Sequence, residues 1–366
     1  MFKKKKTRII VISILGILLI GLVYIYFSFA WMFFVKPKDG GYNYKQEIHF
    51  IAGSENGESG YKDGDGKGVR MNKPIRLAIL NDSTVIFADI NNHAIRTITD
   101  KGKVSTIAGG PENQGYQDGL AKNAKFDNPH GVAVRGDGVI AVAEVKNNTI
   151  RLLTPKILNG EITYSVSTLA GIEGKSGMLD GINNTALFDS PHSVAWGQNG
   201  ELYVADIGNS RIRMIYKGET TTIAGNDKTG KDDGGIEQGT LKYPMDITTD
   251  ELGNIWIVDA GTMSIRKWNK IEGLTTPFSK AEIAMPHGIS IKNDRYVIIA
   301  EMYGHRILMF DTNSEQVSTI CGTTEKGIGN GNLYKPADVL VKGNKIWIGD
   351  LYNHRIVTVD MPIIDE

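Results

Sequence analysis

The sequence predicts an all-β fold: a six-bladed β-propeller of four-stranded blades, closed by its N-terminal strand and preceded by one transmembrane helix. Three observations carry this. An apolar run ends in an acidic residue at Asp89, Glu144, Asp206, Asp259, Glu301 and Asp350, and an isoleucine stands six residues after each, at Ile95, Ile150, Ile212, Ile265, Ile307 and Ile356. Each copy divides into four short runs rich in Val, Ile, Thr and Tyr, separated by Gly, Asn and Asp. No helical periodicity competes with these runs. Repeats of roughly 40–60 residues, each with four strands and turn signals between them, read as propeller blades.

The N-terminus is justified by charge and run length. Residues 1–8 are a basic tail with Lys3, Lys4, Lys5, Lys6 and Arg8. Residues 9–35 are uncharged and apolar, longer than the roughly 20 residues that cross a bilayer as a helix. Tyr24, Tyr26 and Trp31 fall in the second half, where an interfacial aromatic belt is expected. The basic cluster stays in the cytoplasm, which places the rest of this single-pass chain outside the cell membrane. A cleaved signal peptide is the rival reading, because Ser28-Phe29-Ala30 offers small residues. The run exceeds the roughly 7–15 residues of such a segment and continues through Trp31-Met32-Phe33-Phe34, which favours an uncleaved signal-anchor. Residues 36–46 read as a polar linker.

The body follows in order. After the isoleucine comes a short strand, a turn, and a second signature: Thr106-Ile107-Ala108-Gly109, Thr168-Leu169-Ala170-Gly171, Thr222-Ile223-Ala224-Gly225 and Thr319-Ile320-Cys321-Gly322. A glycine-rich loop follows, as in Tyr116-Gln117-Asp118-Gly119. Pro74, Pro129, Pro191, Pro244, Pro286 and Pro336 then open each blade, at a position that need not donate to the ladder. In blade 3 the strands are expected near 193–196, 202–205, 212–216 and 220–224. Acid-to-acid spacings of 55, 62, 53, 42 and 49 residues show loops of variable length. Blade 2 carries an extended hairpin near Asn159-Gly160, and after blade 4 Leu274-Thr275-Thr276-Pro277-Phe278 replaces the glycine signature. The last copy stops near Asp360 without a fourth strand. Glu47-Ile48-His49-Phe50-Ile51-Ala52-Gly53 is a fourth strand with no blade before it. It is expected to pair beside residues 356–360, closing a ring over residues 47–360 and removing the exposed edges. Residues 361–366 remain as a tail.

Composition agrees. Of 366 residues 41% are hydrophobic and only 11 are proline, which suits a buried core and excludes general disorder. Residues 1–40 hold seven Lys/Arg and one Asp, leaving 34 basic against 40 acidic residues. A mildly acidic body excludes a nucleic-acid footprint. The single cysteine, Cys321, excludes an intrachain disulfide.

The Asp-x-x-Asn-x-x-Ile-Arg frame, the Thr-Ile-Ala-Gly strand and the Pro-His-Gly-Val opening resemble the NHL-repeat family over residues 47–360. The resemblance implies a six-bladed propeller that serves as a ligand- or partner-binding module, in some members outside the cell on a membrane anchor. A minority resemble propeller enzymes, the peptidylamidoglycolate lyases, whose catalytic metal is held by histidines at such openings. Fold membership does not choose between these.

In a propeller the opening prolines and the acidic turns share one face. The residues after each proline are expected to surround the channel mouth: Ile75/Arg76, His130/Gly131, His192/Ser193, Met245/Asp246, His287/Gly288 and Ala337/Asp338. His130, His192 and His287, with Asp246, Asp338 and Arg76, then form a ring able to hold a divalent metal or an anionic ligand, neutral imidazole being a common zinc ligand. The histidines sit in blades 2, 3 and 5 without alternation, and the lyases' catalytic tyrosine and arginine find no match. The plainer reading is a repeat variant whose imidazole caps a loop. The repeated acids are expected to accept turn N–H groups and to pair with Arg96, Arg151, Arg213 or Arg266 between blades. Glu144 and Glu301, longer and in histidine-bearing blades, are expected to reach toward the channel. Asp63-Gly64-Asp65-Gly66 and residues 227–233 read as solvated turns without EF-hand spacing. Nucleophile-elbow, phosphate-loop and paired-cysteine motifs are absent. The expected function is a membrane-anchored binding module whose loop-rich face takes a protein, peptide or glycan. The alternatives are a metal-dependent lyase or hydrolase at the channel mouth and an envelope scaffold.

Overall fold

A computed structural model describes residues 43–279, 281–329 and 331–363. The basic tail, the apolar run 9–35 and residues 36–42 lie outside these, so the membrane-anchor reading falls there too. Among the described residues no helix is long and apolar enough to cross a membrane.

Six antiparallel sheets follow one another along the chain. Blade 1 is Pro74–Asn81, Thr84–Asp89, Ala94–Thr99 and Lys103–Gly109. Blade 2 is Pro129–Val134, Ile140–Glu144, Thr149–Leu158 and Glu161–Ala170. Blade 3 is Pro191–Trp196, Leu202–Asp206, Arg211–Tyr216 and Glu219–Ala224. Blade 4 is Pro244–Thr249, Ile255–Asp259, Ser264–Asn269 and Gly273–Thr275. Blade 5 is Pro286–Lys292, Tyr296–Glu301, Arg306–Asp311 and Val317–Gly322. Blade 6 takes Pro336–Lys342, Lys345–Asp350 and Arg355–Asp360 from the end of the chain and His49–Gly53 from its beginning. His49 stands opposite Thr358 and Gly53 opposite Arg355, so the ring closes with strands from both ends. Residues 43–46, expected as linker, instead run beside blade 5: the N–H groups of Tyr44 and Gln46 donate to the carbonyls of Thr319 and Ile320 at 2.9 Å.

The second strand of each blade lies between neighbours on both sides and reads as an almost unbroken apolar run. Six hydrophobic clusters result. Blades 1 and 2 meet on Ile86, Phe126 and Val142, and blades 6 and 1 on Trp347, Ile356, Ala52 and Phe87. The closing strand is therefore part of the core. The glycine that ends the fourth strand has a steric reason. A Cβ at Gly109, Gly171, Gly225, Gly322 or Gly53 would strike the carbonyl of His93, Asn148, Ser210, His305 or His354, respectively, and each glycine also has positive φ. Gly53 thus marks the closing strand as one more copy of the signature.

Three sheets gain a fifth, two-residue strand, Gly64–Asp65, Gly119–Leu120 and Gly181–Ile182, on the outer edge. The cause is a latch on a buried arginine; the turns themselves are solvent-exposed, as expected, but one aspartate of each reaches inward. Arg96, Arg151, Arg213 and Arg266 are fully buried. Each pairs with the acid seven residues before it and with a loop aspartate 33 residues before it. Arg96 reaches Asp89 at 2.6 Å and Asp63 at 2.7 Å. Arg151 reaches Glu144 at 2.6 Å and Asp118 at 2.5 Å. Arg213 reaches Asp206 at 2.8 Å and Asp180 at 2.6 Å, and Arg266 reaches Asp259 at 3.5 Å and Asp233 at 2.9 Å. Both carboxylates belong to the arginine's own blade, so the expectation of pairing between blades is corrected. The strands holding acid and arginine are ladder neighbours within one sheet. The same aspartates accept the N–H of Thr106, Thr168 and Thr222 at 2.8, 3.0 and 2.9 Å, which draws each loop along the outer strand. In blades 5 and 6 the residue 33 before the arginine is a glycine, and the arginines stand five residues after the acid: Glu301–Arg306 at 2.5 Å and Asp350–Arg355 at 2.7 Å.

Stitches between blades come from a position the sequence reading passed over. The fourth residue after each acid adopts left-handed backbone: His93, Asn148, Ser210, Met263, His305 and His354. The residue before each opening proline does the same. Three of these histidines accept, on Nδ1, the N–H of the residue before the next blade's proline. His93 takes Asn128 at 3.2 Å, His305 takes Lys335 at 3.1 Å and His354 takes Lys73 at 3.2 Å. Asn148 Oδ1 takes Ser190 at 2.8 Å in the same way.

Candidate functional site

Each opening proline pairs with the acid of its blade, Pro129 opposite Glu144 and Pro286 opposite Glu301 for example, so prolines and acidic turns share one face. A register break follows every proline and leaves one residue unpaired: Arg76, His130, His192, Met245, His287 and Ala337. Such a bulge re-aims a side chain. In blade 1 the break falls one residue later, after Ile75, and Arg76 has left-handed backbone there, with φ 49°.

The three histidines converge. Ring centroids of His130 and His192 are 3.6 Å apart, those of His192 and His287 5.5 Å, and those of His130 and His287 6.4 Å. Nδ1 of His192 donates to the Met245 carbonyl and Nδ1 of His287 to the Ala337 carbonyl, both at 2.8 Å. His130 Nδ1 has no partner. Burial holds His130 and His192 well below the usual imidazole range and brings His287 down to about 3, with Arg76 adding to the effect on each. All three rings are therefore neutral at physiological pH.

Arg76 is the centre of the group. Its Nη2 donates to the Met245 carbonyl at 2.7 Å, Nη1 to the Ala337 carbonyl at 3.3 Å and to Asp338 Oδ1 at 3.3 Å, and Nε lies 3.2 Å from Asp246 Oδ1. Asp246 also accepts Ser193 Oγ at 2.6 Å and the Ile289 N–H at 2.8 Å, and Asp338 accepts the Leu77 N–H at 2.5 Å. One guanidinium thus clasps blades 1, 4 and 6, while its carboxylates reach blades 3, 5 and 1. Burial pushes the Asp338 carboxyl up to about 7, with Arg76 opposing and Asp246 reinforcing the rise. Beneath the clasp the first strands line a channel of about 290 Å³.

One expectation needs correction, that for the two glutamates. For the histidines, among the described residues no three His, Cys, Asp or Glu are placed to hold one ion. The physical reason is Arg76, a fixed cation set among the imidazoles and bound to both nearby carboxylates. Glu144 and Glu301 do not reach the channel. Glu144 accepts the Asp127 N–H at 2.9 Å and Asn147 Nδ2 at 2.8 Å as well as its latch arginine. Glu301 accepts the Ala284 N–H at 2.7 Å. Both do what the aspartates do elsewhere, with one more methylene.

The sheets, the clasp and the face shared by prolines and acids define a six-bladed propeller with a plugged channel. Residues 67–216 match the Teneurin NHL domain model. The chain is 25% identical over 324 residues to Protein SUPPRESSOR OF QUENCHING 1, chloroplastic, of Arabidopsis thaliana, covering 79% of this chain and 30% of that one. It is 22% identical over 334 residues to human NHL repeat-containing protein 2, covering 76% of this chain and 45% of the relative. Residues 67–216 thus read as NHL repeats, and the chain spans less than half the length of these relatives. A Bacteroides thetaiotaomicron structural genomics protein of unknown function shares the fold, with TM-score 0.61, 18% identity, and coverage of 86% of this chain and 76% of that one. A catalytically inactive virginiamycin B lyase from Staphylococcus aureus with quinupristin also shares it, with TM-score 0.52, 16% identity, and coverage of 89% and 99%.

Proposed function

We propose that the protein is a membrane-anchored, extracytoplasmic propeller that binds a protein, peptide or glycan through its loop-rich face. The observation that carries this is the self-paired clasp. Arg76 pairs with Asp246 and Asp338, and His192 and His287 donate to nearby backbone, so most of the polar groups at the channel mouth are engaged with one another, which favours a structural role there. The surface that differs from blade to blade is then the face of the opening loops and acidic turns, and such loops on a rigid scaffold are where binding residues concentrate. The uncharged run 9–35 behind a basic tail supports the anchor and the outside location.

A photo-crosslinking residue at Tyr243, which precedes an opening proline, tests the binding face against one at Ile271, on the opposite turns of the same blade. Adducts in intact cells are expected from Tyr243 alone. Adducts from Ile271 alone, or equally from both, would overturn the assignment. Protease added to intact cells tests the location separately: the body should be cleaved without lysis.

A further inference from the structure

Blades 5, 6 and 1 gather three lysines and three tyrosines on the loop-rich face. Lys335 and Lys73 each precede an opening proline in left-handed backbone, with φ 51° and 66°. Their ammonium groups lie 4.9 and 5.2 Å from the centre of the Tyr352 ring. They are therefore no more than about 10 Å apart, roughly one Debye length in 0.1 M salt. Lys335 also lies 4.7 Å from the Tyr303 ring, and Lys326 lies 5.5 Å from that of Tyr334, whose ring is tilted against Tyr352 with centroids 5.3 Å apart.

Three surface lysines pair with acids, Lys67–Glu55, Lys342–Asp100 and Lys345–Asp360, and most others among the described residues stand apart from any charge; what marks this face is the crowding of three cations. Among the described residues Lys73, Lys326 and Lys335 have no acid within ion-pair range. Glu325 is the nearby acid, and it acts on His305. Burial lowers the Lys335 pKa first, and Lys326 and Lys73 lower it further, so the three charges oppose one another. Contact with one ring can hold one ammonium in place. It gives no reason to crowd three half-buried or exposed cations in a body with excess acid.

We propose that this patch binds a dianionic group of a ligand, a phosphate, sulfate or dicarboxylate, seated among Lys73, Lys326 and Lys335. A doubly charged anion converts the mutual repulsion into charge-assisted contacts. The proposal deepens the binding-module reading and rests on it for the choice of face.

The test uses the full chain in detergent, at constant ionic strength with chloride exchanged for inorganic phosphate, sulfate or malonate. A ligand that binds only the folded state raises Tm saturably. Wild type should show this with at least one anion, and K73Q/K335Q should need at least tenfold more anion for the same rise. Without anion the variant should be no less stable than wild type, since repulsion is relieved. The control K101Q/K122Q, with the same charge change elsewhere, should respond as wild type does. Response to all three anions assigns the site to charge alone, whereas response to phosphate and sulfate without malonate assigns it to tetrahedral oxyanions. No saturable rise with any anion, an unchanged response in K73Q/K335Q, or a lower Tm of that variant without anion would overturn the proposal. Crosslinking at Tyr243 reads the face itself without reference to charge, so the two failures are distinguishable.

Discussion

Replacing Arg213 with methionine removes the cation of one latch and keeps most of the side-chain volume. Arg213 is fully buried and donates to Asp206 at 2.8 Å, to Asp180 at 2.6 and 3.0 Å, and to the Leu187 and Leu179 carbonyls at 2.9 Å each. Without it Asp206, also fully buried, keeps Asn209 Nδ2 and the Asp189 N–H but loses its counter-charge. Removing one partner of a buried pair costs about 3–5 kcal/mol, because the other charge stays buried and uncompensated. In a body of this size that lowers Tm by roughly 6–10 °C, at about 2 °C per kcal/mol. The double variant R213M/D206N carries no stranded charge, so it should lose less than R213M alone. Thermal and urea unfolding of wild type, R213M, D206N and the double variant form the cycle. A loss below about 1 kcal/mol in R213M, or a double variant that loses the sum of the singles, would refute the latch.

Other consequences follow from the same contacts. His93, His305 and His354 accept N–H groups on Nδ1, and burial lowers all three pKa values. A base depressed on folding adds stability above about pH 6.5 that is lost as pH falls through the folded value. The variant H93N/H305N/H354N, which copies the Asn148 stitch of blade 2, should therefore lose less Tm than wild type on acidification. Asp338 has the opposite sign. Its folded pKa is raised to about 7, so its contribution is present at low pH and lost as pH rises through about 7. Asp338→Asn should accordingly compare best with wild type at about pH 8 and worse at about pH 5, and equal pH slopes would rule this out. Gly322→Ala should destabilise more than Gly160→Ala. Both glycines have positive φ, but only the Cβ at Gly322 meets backbone, at His305 and Arg306; Tm values of the two variants check it.

The repeat, the blade count and the closing strand were legible because each writes itself along the chain, as apolar alternation, a glycine or a proline. The latch was only half legible. The arginine seven residues after the acid was visible, but its second partner lies 33 residues upstream in loops that look solvated. The coincidence of the two spacings in blades 1 to 4, and their joint absence from blades 5 and 6, was the available signal. That the histidines and Arg76 gather at the channel mouth was legible from the repeat position after each proline; their mutual contacts were not, because they depend on a bulge that spacing does not encode. As one residue of a pair on a channel rim Arg76 gave no sign that left-handed backbone would make it the hub. The lysines at 73 and 335 are far apart in sequence and become neighbours only when blade 6 closes against blade 1.

The central claim is that the channel cluster is a structural clasp and that recognition lies on the loops around it. Metal content and unfolding of the purified full chain, equilibrated with excess zinc and then dialysed, address it most directly. The clasp predicts no stoichiometric metal, a Tm unchanged by chelator, and a loss of about 3–5 kcal/mol in Arg76→Met as Asp246 and Asp338 are left buried without their cation. One retained equivalent of zinc, with a chelator-sensitive Tm and loss of the metal in H130A/H192A/H287A, would contradict it.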